Sequence, residues 1–363
     1  MPRLPRKTGM TTKRIIASIV VVAVLAGLVY LQAREWRHFD WSVFWKLTAD
    51  ARPLYLLSAV ALIYATYLLR AVRWKVFLRP VCRPRARDLI APTIIGFTGL
   101  ALLGRPGEFA RPYLIARREG LSMSSQIAVW AVERIFDIGS FTVLMTVDIF
   151  SMDFSRYPVL EHYRHEFLVA GVILIGLVAF LAGSAYVIRR SAADVARWVH
   201  RRFAGWAPSF AEHAEKKVYA FGEGLNTIHD LGSFVQLTGL SLLIWFLIAL
   251  SYLQAMHAYP SPLRELTISN VVIIIGFSMV GSLVQLPAIG GGVQAATIGG
   301  INHYFNVPNE MAVSCGIMLW LICFMVVIPV GLFLAHREHV SFSKISRESG
   351  KPPEPEIQAS PGN

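Results

Sequence analysis

The sequence predicts an all-α polytopic membrane protein with six full spans and two re-entrant helical segments, arranged as an inverted repeat. Three observations predict it. Hydrophobic residues make up 55% and charged residues 16% of the 363 positions, and several apolar runs reach the length of about 18 or more that a membrane helix needs. Two other apolar stretches, 89–103 and 271–286, stop short on glycine and proline with polar residues at the break. The basic residues are also distributed unevenly between the connecting segments.

The full spans fall at residues 15–32, 53–69, 125–150, 167–188, 233–257 and 311–335. Residues 1–14 hold five Lys/Arg ahead of the first apolar run. That run is long for a signal-peptide core and no small-x-small cleavage site follows, so it reads as an uncleaved first helix. Span one is followed by Asp40-Trp-Ser-Val-Phe-Trp-Lys-Leu47, whose aromatics suit a membrane interface. After span four, residues 189–230 form a basic amphipathic stretch with Trp198, Phe203, Trp206 and Phe210, suited to lying on the membrane surface. The domain organisation is thus a basic N-terminus (1–14), a membrane domain (15–335, halves 15–150 and 167–335) and a tail (336–363). The tail, with Lys351-Pro-Pro-Glu-Pro-Glu356, is expected to be disordered.

Charge sets the orientation. Stretches 1–14, 70–88, 104–121, 189–230 and 336–363 hold 27 Lys/Arg, and stretches 33–52, 151–166 and 257–269 hold 7. The first group is therefore placed in the cytoplasm, with both termini. Segment 89–103 must then enter and leave on the cytoplasmic side, and 271–305 on the external side. Each half becomes span, span, re-entrant segment, span, with opposite topology in the second half. The repeat rests on hydropathy, because the halves share no convincing residue identity.

The net charge of +12 raises a nucleic-acid partner, but the basic residues cluster beside apolar runs, as positive-inside loops and headgroup contacts do. Cys82, Cys315 and Cys323 have no metal or redox spacing. Asp-x-Asp, Gly-x-Ser-x-Gly, the P-loop and Cys-x-x-Cys patterns are all missing. The acidic and histidine residues of 161–166 read as a solvated loop. No enzyme activity, cofactor or metal is expected.

Three constellations are candidates for binding. Gly104-Arg-Pro-Gly-Glu-Phe-Ala-Arg-Pro-Tyr113 joins a flexible backbone to Arg105, Glu108 and Arg111; Glu108 and Arg111, three apart, suit pairing on one helix face, and arginine forks bind phosphate or carboxylate. Arg117 and Arg118 read as topogenic charges. Glu133, Arg134 and Asp137 lie inside span three, where each charge costs roughly 2.5–3.5 kcal/mol on insertion scales. Glu133 and Asp137 share a face, Arg134 points about 100° away, and the two carboxylates call for a cation such as Arg105 or Arg111. In the third, Gln285, Pro287, Gly290, Gly291, Gly292 and Gln294 surround the second break, where a half-helix starting near Val293 would turn its positive end inward. The matched interruptions place both breaks at one central cavity, lined by Arg105, Glu108, Arg111, Gln285 and Gly290–Gly292.

The motifs Arg-Pro-Gly-Glu-Phe-Ala-Arg at 105–111, Glu-Arg-Ile-Phe-Asp at 133–137 and Leu-Pro-Ala-Ile-Gly-Gly-Gly at 286–292, in that order, resemble the lysylphosphatidylglycerol synthase transmembrane region, or flippase-like domain, family. The resemblance covers roughly residues 13–335. It implies a bacterial plasma (inner) membrane location and a role in moving lipid between leaflets, with a lipid bearing an anionic headgroup as substrate and a lipid-synthesising enzyme as a possible partner. Only 28 residues follow the last span, so the aminoacyl-transfer domain of the synthases is expected to be absent. Many relatives carry glutamate where this chain has Gln294, which removes a carboxylate there. Two other readings stay open: a membrane-embedded transferase using a lipid-phosphate donor, with Glu133 or Asp137 as base, and a scaffold for a lipid-modifying enzyme.

Overall fold

The computed structural model describes residues 39–121, 123–205, 231–282 and 291–338, with positions 208, 211, 212 and 215. The basic N-terminus, the span predicted at 15–32, the tail beyond 338, and Gln285, Pro287 and Gly290 lie outside the described residues, as do Trp206 and Phe210. All regular structure among the described residues is helical.

Helix α1 (Trp41–Ala49) starts where the Asp40 carboxylate accepts the backbone N–H groups of Ser42 and Val43 at 2.9 and 3.2 Å, an N-cap that satisfies donors the helix leaves over. Its Trp41 and Trp45 are exposed, and Thr48 meets Ser314 at 2.7 Å. Helix α2 (Pro53–Leu78) opens on a proline, whose missing N–H is not needed there. It runs on past the predicted end at 69, because Ala71, Trp74, Val76, Phe77 and Leu78 continue the buried apolar face.

Helix α3 (Ala86–Leu103) stops at Gly104, whose φ of 69° and ψ of −147° suit only glycine. A 3-10 turn, Arg105–Phe109, leads into α4 (Ala110–Glu119), and the chain doubles back. The backbones touch: Gly96 lies against Arg111, and a methyl group on Gly107 would collide with the Gly99 backbone. Helix α5 (Met123–Ser151) follows, then the short α6 (Pro158–His162) and α7 (Arg164–Phe203). Helix α7 departs from helical geometry at Ser191 (φ −139°, ψ 39°), close to the predicted boundary at 188. Beyond it the helix carries exposed Trp198 and Phe203 among Arg197, Arg201 and Arg202.

Helix α8 (Leu231–His257) runs antiparallel to α2. Ser251 donates to the Ala59 carbonyl at 2.9 Å, and Arg79 donates to Gln236 at 2.9 Å near the far end. Helix α9 (Ile268–Gly281) begins with a capping box between Thr267 and Asn270. Helix α10 (Gly292–Phe305) folds back on it: Ser278 and Thr297 hydroxyls lie 2.5 Å apart, and Gly300 receives the Phe277 ring. Two helical hairpins, α3–α4 and α9–α10, thus stand where the two broken segments were predicted. Helix α11 (Asn309–Trp320), a π-turn (Leu321–Met325) and α12 (Val327–Arg337) form one continuous rod. Pro329 has no N–H for the Met325 carbonyl and its ring crowds that turn, which accounts for the widening. Thr98 of α3 donates to the Val327 carbonyl at 3.3 Å and fits against Gly331.

The largest buried cluster joins α2, α3, α8, α9, α10 and α11, with Tyr259 and Leu263 beneath it. Among the described residues, four helices are long and apolar enough to cross a bilayer: Pro53–Leu78, Ala86–Leu103, Leu231–His257 and Asn309–Arg337. Large apolar side chains such as Leu57, Val147, Ile173, Phe180 and Phe246 point outward, as they do in lipid and would not at this density in water. The chain is a multi-pass membrane protein.

Candidate functional site: a buried arginine–carboxylate cluster beside a cavity

Helix α5 passes its charged turn between α2 and α4. The spacing of four puts Glu133 and Asp137 on one face, and one guanidinium bridges them. Arg73 of α2 donates through Nη2 to Glu133 Oε1 at 2.5 Å and through Nη1 to Asp137 Oδ1 at 2.6 Å and Ser241 of α8 at 2.8 Å. Arg73 and Glu133 are fully buried. Arg111 of α4 closes on Glu133 from the other side, with Nη1 3.1 Å from Oε1 and Nη2 on Oε2. Its guanidinium carbon also lies over the Trp74 ring, 4.8 Å from the centroid. Arg134 reaches Asp137 Oδ2 at 3.0 Å, and Arg70 reaches it at 3.5 Å while lying over Phe97. Four guanidiniums therefore surround two carboxylates. The geometry locks α2, α4, α5 and α8 together, since removing one partner of a buried pair strands the other.

A cavity of about 190 Å³ lies next to the cluster, between α3 and the facing ends of α9 and α10. Leu100 and Ala101 from the end of α3, Ser278 and Ser282 from the end of α9, and Val293 from the start of α10 all line it. Helices α2 and α8 and the π-turn supply the remaining wall, which is mostly apolar; Arg70 is the charged group on it among the described residues. A second, smaller cavity of about 20 Å³ shares Phe97 and Leu100 with the first and is lined by Glu108, Arg111 and Arg134.

Several expectations change. Arg111 pairs with Glu133 rather than Glu108, because α4 lays its first turn against α5; Glu108 instead lines the small cavity with Arg134. Arg134 does not point away from the carboxylates, since its long side chain curls back to Asp137. Arg111 does supply a cation, but Arg73, the cation that bridges the two carboxylates, was counted with Arg70 among the cytoplasmic loop charges. The signal for both was the apolar pattern continuing through 71–78. Of the predicted cavity lining, Glu108 and Arg111 fall on the smaller cavity, and Arg70 takes the place on the larger one. The backbone of Arg105 lies in the turn after α3; its side chain, like Gln285, Pro287 and Gly290, lies outside the described set. Gly291 (φ 54°) precedes α10, Gly292 opens it, and Gln294 sits half-buried in its first turn.

A chain of helices that ends a hairpin beside an arginine–carboxylate lock defines a class of multi-pass membrane protein, and the family can be stated. The model of the lysylphosphatidylglycerol synthase TM region matches residues 15–331, and the chain belongs to that family. A UPF0104 membrane protein of Methanothermobacter thermautotrophicus is 24% identical over 293 residues, 78% of this chain and 85% of that protein. Glycosyltransferase AglD of Haloferax volcanii is 30% identical over 127 residues, 34% of this chain but 20% of that protein. The chain thus matches about a fifth of the glycosyltransferase's length. No solved structure matches.

Proposed function

We propose that the chain is a lipid translocator that moves an anionic or amphiphilic lipid between leaflets without altering it. The observation that carries this reading is the cavity between the end of α3 and the facing ends of α9 and α10, apolar over most of its wall and cationic at Arg70. Short helices broken at matching places in two halves are how transporters place a site near the bilayer midplane. In this reading α3–α4 is re-entrant from the cytoplasm and α9–α10 from outside. The first span at 15–32 completes six spans in an inverted repeat, and both termini are cytoplasmic in a bacterial inner membrane. Taking the buried Arg70 and Arg73 out of the charge count leaves 25 Lys/Arg against 7, so the orientation stands. The partner is a membrane lipid, and an enzyme that makes it is a natural neighbour.

The match to part of a glycosyltransferase favours a second reading, a transferase with Glu133 or Asp137 as base. Geometry weighs against it. A general base needs an oxygen in reach of the substrate proton, whereas Glu133 is held by Arg73 and Arg111, and Asp137 by Arg73, Arg134 and Arg70. One experiment separates the readings. The purified protein is placed in vesicles with acyl-labelled phosphatidylglycerol, leaflet exchange is followed by quenching of the outer label, and the lipids are then weighed by mass spectrometry. Faster exchange with unchanged lipid masses is expected. Exchange no faster than in empty vesicles would sink the translocator, and a new lipid mass would establish the transferase.

A further inference from the structure

Resting on that translocator reading, we propose that the site selects a small headgroup with one net negative charge, a phosphodiester that binds Arg70 and leaves its acyl chains outside the cavity. Charge points to the sign. The cluster holds four guanidiniums against Glu133 and Asp137, and Glu108, on the small cavity beside Arg134, supplies a third carboxylate. One positive charge among these described residues is left over, and a buried excess charge is costly until an anion joins it.

Position assigns that charge to Arg70. Arg73 and Arg111 have their forks turned into Glu133, and Arg134 faces the small cavity. Arg70 makes the longest of the contacts to Asp137, at 3.5 Å, and stands on the wall of the large cavity, which no carboxylate lines among the described residues. A guanidinium with spare donors in an apolar pocket is matched to a phosphate.

Volume limits the size. At about 190 Å³ the cavity is below the ~300–1,000 Å³ typical of pockets that bury a drug-sized ligand. Allowing about 10–15 Å³ of such space per water, it has room for roughly a dozen waters, enough for a phosphate with a glycerol-sized substituent, whereas a sugar chain or an acyl tail would extend beyond it.

The test uses the full-length protein in vesicles with acyl-labelled lipids that differ only in the headgroup. Phosphatidylglycerol should exchange fastest. Phosphatidylcholine, whose choline cancels the phosphate charge, and phosphatidylethanolamine with a polyethylene glycol headgroup, which keeps that charge but is too large, should each be slower by about tenfold or more. Arg70→Gln should remove the preference for phosphatidylglycerol over phosphatidylcholine, and Arg70→Lys should keep part of it. Should Arg70→Gln not fold, Ser282→Phe, which fills the cavity away from the ion cluster, should slow phosphatidylglycerol exchange in folded protein. Inorganic phosphate at millimolar concentration should neither inhibit exchange nor raise the melting temperature; protection by phosphate alone would make the ligand a soluble anion. Equal exchange of all three lipids would overturn the selectivity while leaving translocation in place, and no exchange of any lipid would reject translocation itself.

Discussion

Arg73 illustrates how one side chain can hold a membrane protein together. Its guanidinium is shared by two carboxylates and a serine hydroxyl from two other helices, and the side chain is fully buried. Arg73→Ala should therefore destabilise the fold by about 3–5 kcal/mol, seen as a lower melting temperature in detergent, while the more exposed Arg134→Ala should cost less. Arg111→Ala should lower the melting temperature more than Glu108→Ala, because it removes a close partner of the fully buried Glu133; a greater loss from Glu108→Ala would refute the pairing. Asp40 gives a pH prediction at the membrane surface. Its carboxyl is held below the usual carboxylate range, first by the Ser42 hydroxyl and then by the backbone N–H groups of Val43 and Ser42. A carboxyl whose value falls on folding contributes stability above its unfolded value of about 3.9, and loses it as pH drops through the lower folded value. Amide exchange in residues 41–49 should accelerate below about pH 4 in the native chain but not in Asp40→Asn, whose amide caps without titrating. The carboxylates in span three were legible as charges needing cations. Arg111 was legible among those cations, but Arg73 and Arg70 were not, because spacing along the chain does not say which helix lies alongside.

At the scale of elements, the hairpins depend on backbone contact. Gly107 and Gly99 leave no room for a side chain between α3 and the turn after it, whereas Gly139 has open space around it. Gly107→Ala should lower the amount of folded protein in the membrane and reduce its melting temperature by several degrees, as core overpacking of about 1–3 kcal/mol does. Gly139→Ala should leave both unchanged. An unaffected Gly107→Ala would mean that the two arms stand further apart. Both broken segments could be read from glycine, proline and length, since those residues act locally. The continuation of α2 through Arg70 and Arg73 was missed because a charge ends a hydropathy window, although Trp74 and Phe77 carry the apolar face past it. The π-turn was missed too, since Pro329 marks a disturbance without saying which kind.

For the whole molecule, the arrangement of α2 against α8 and of two folded-back pairs around one cavity agrees with a chain that crosses the membrane several times. Single cysteines at Ser155 and Pro262 should react with an impermeant maleimide from outside in intact cells, and cysteines at Ala86 and Arg202 only after the membrane is opened. External labelling at Arg202 would invert the proposed topology. Hydropathy made the multi-pass character the most readable feature, because lipid admits few backbone solutions. Arg70, a charged residue on the cavity wall, was not foreseen there, since it belongs to neither broken segment.

The π-turn in the last helix has a bearing on how this rod tolerates changes in length. The wide turn takes up one surplus residue between Leu321 and Met325, so that Val327, Gly331 and Ala335 keep their side of the rod. Deleting a single residue inside 321–325 would close the turn to ordinary α-helix and leave those positions in phase. The same deletion between Val327 and Gly331 would turn the rest of the helix by about 100° and bring Leu332 to the place of Gly331 against Thr98. The stretch thus works as a slack loop for register, so related sequences with a one-residue gap inside 321–325 should share the packing of α12, and those with a gap just after it should need a compensating insertion nearby.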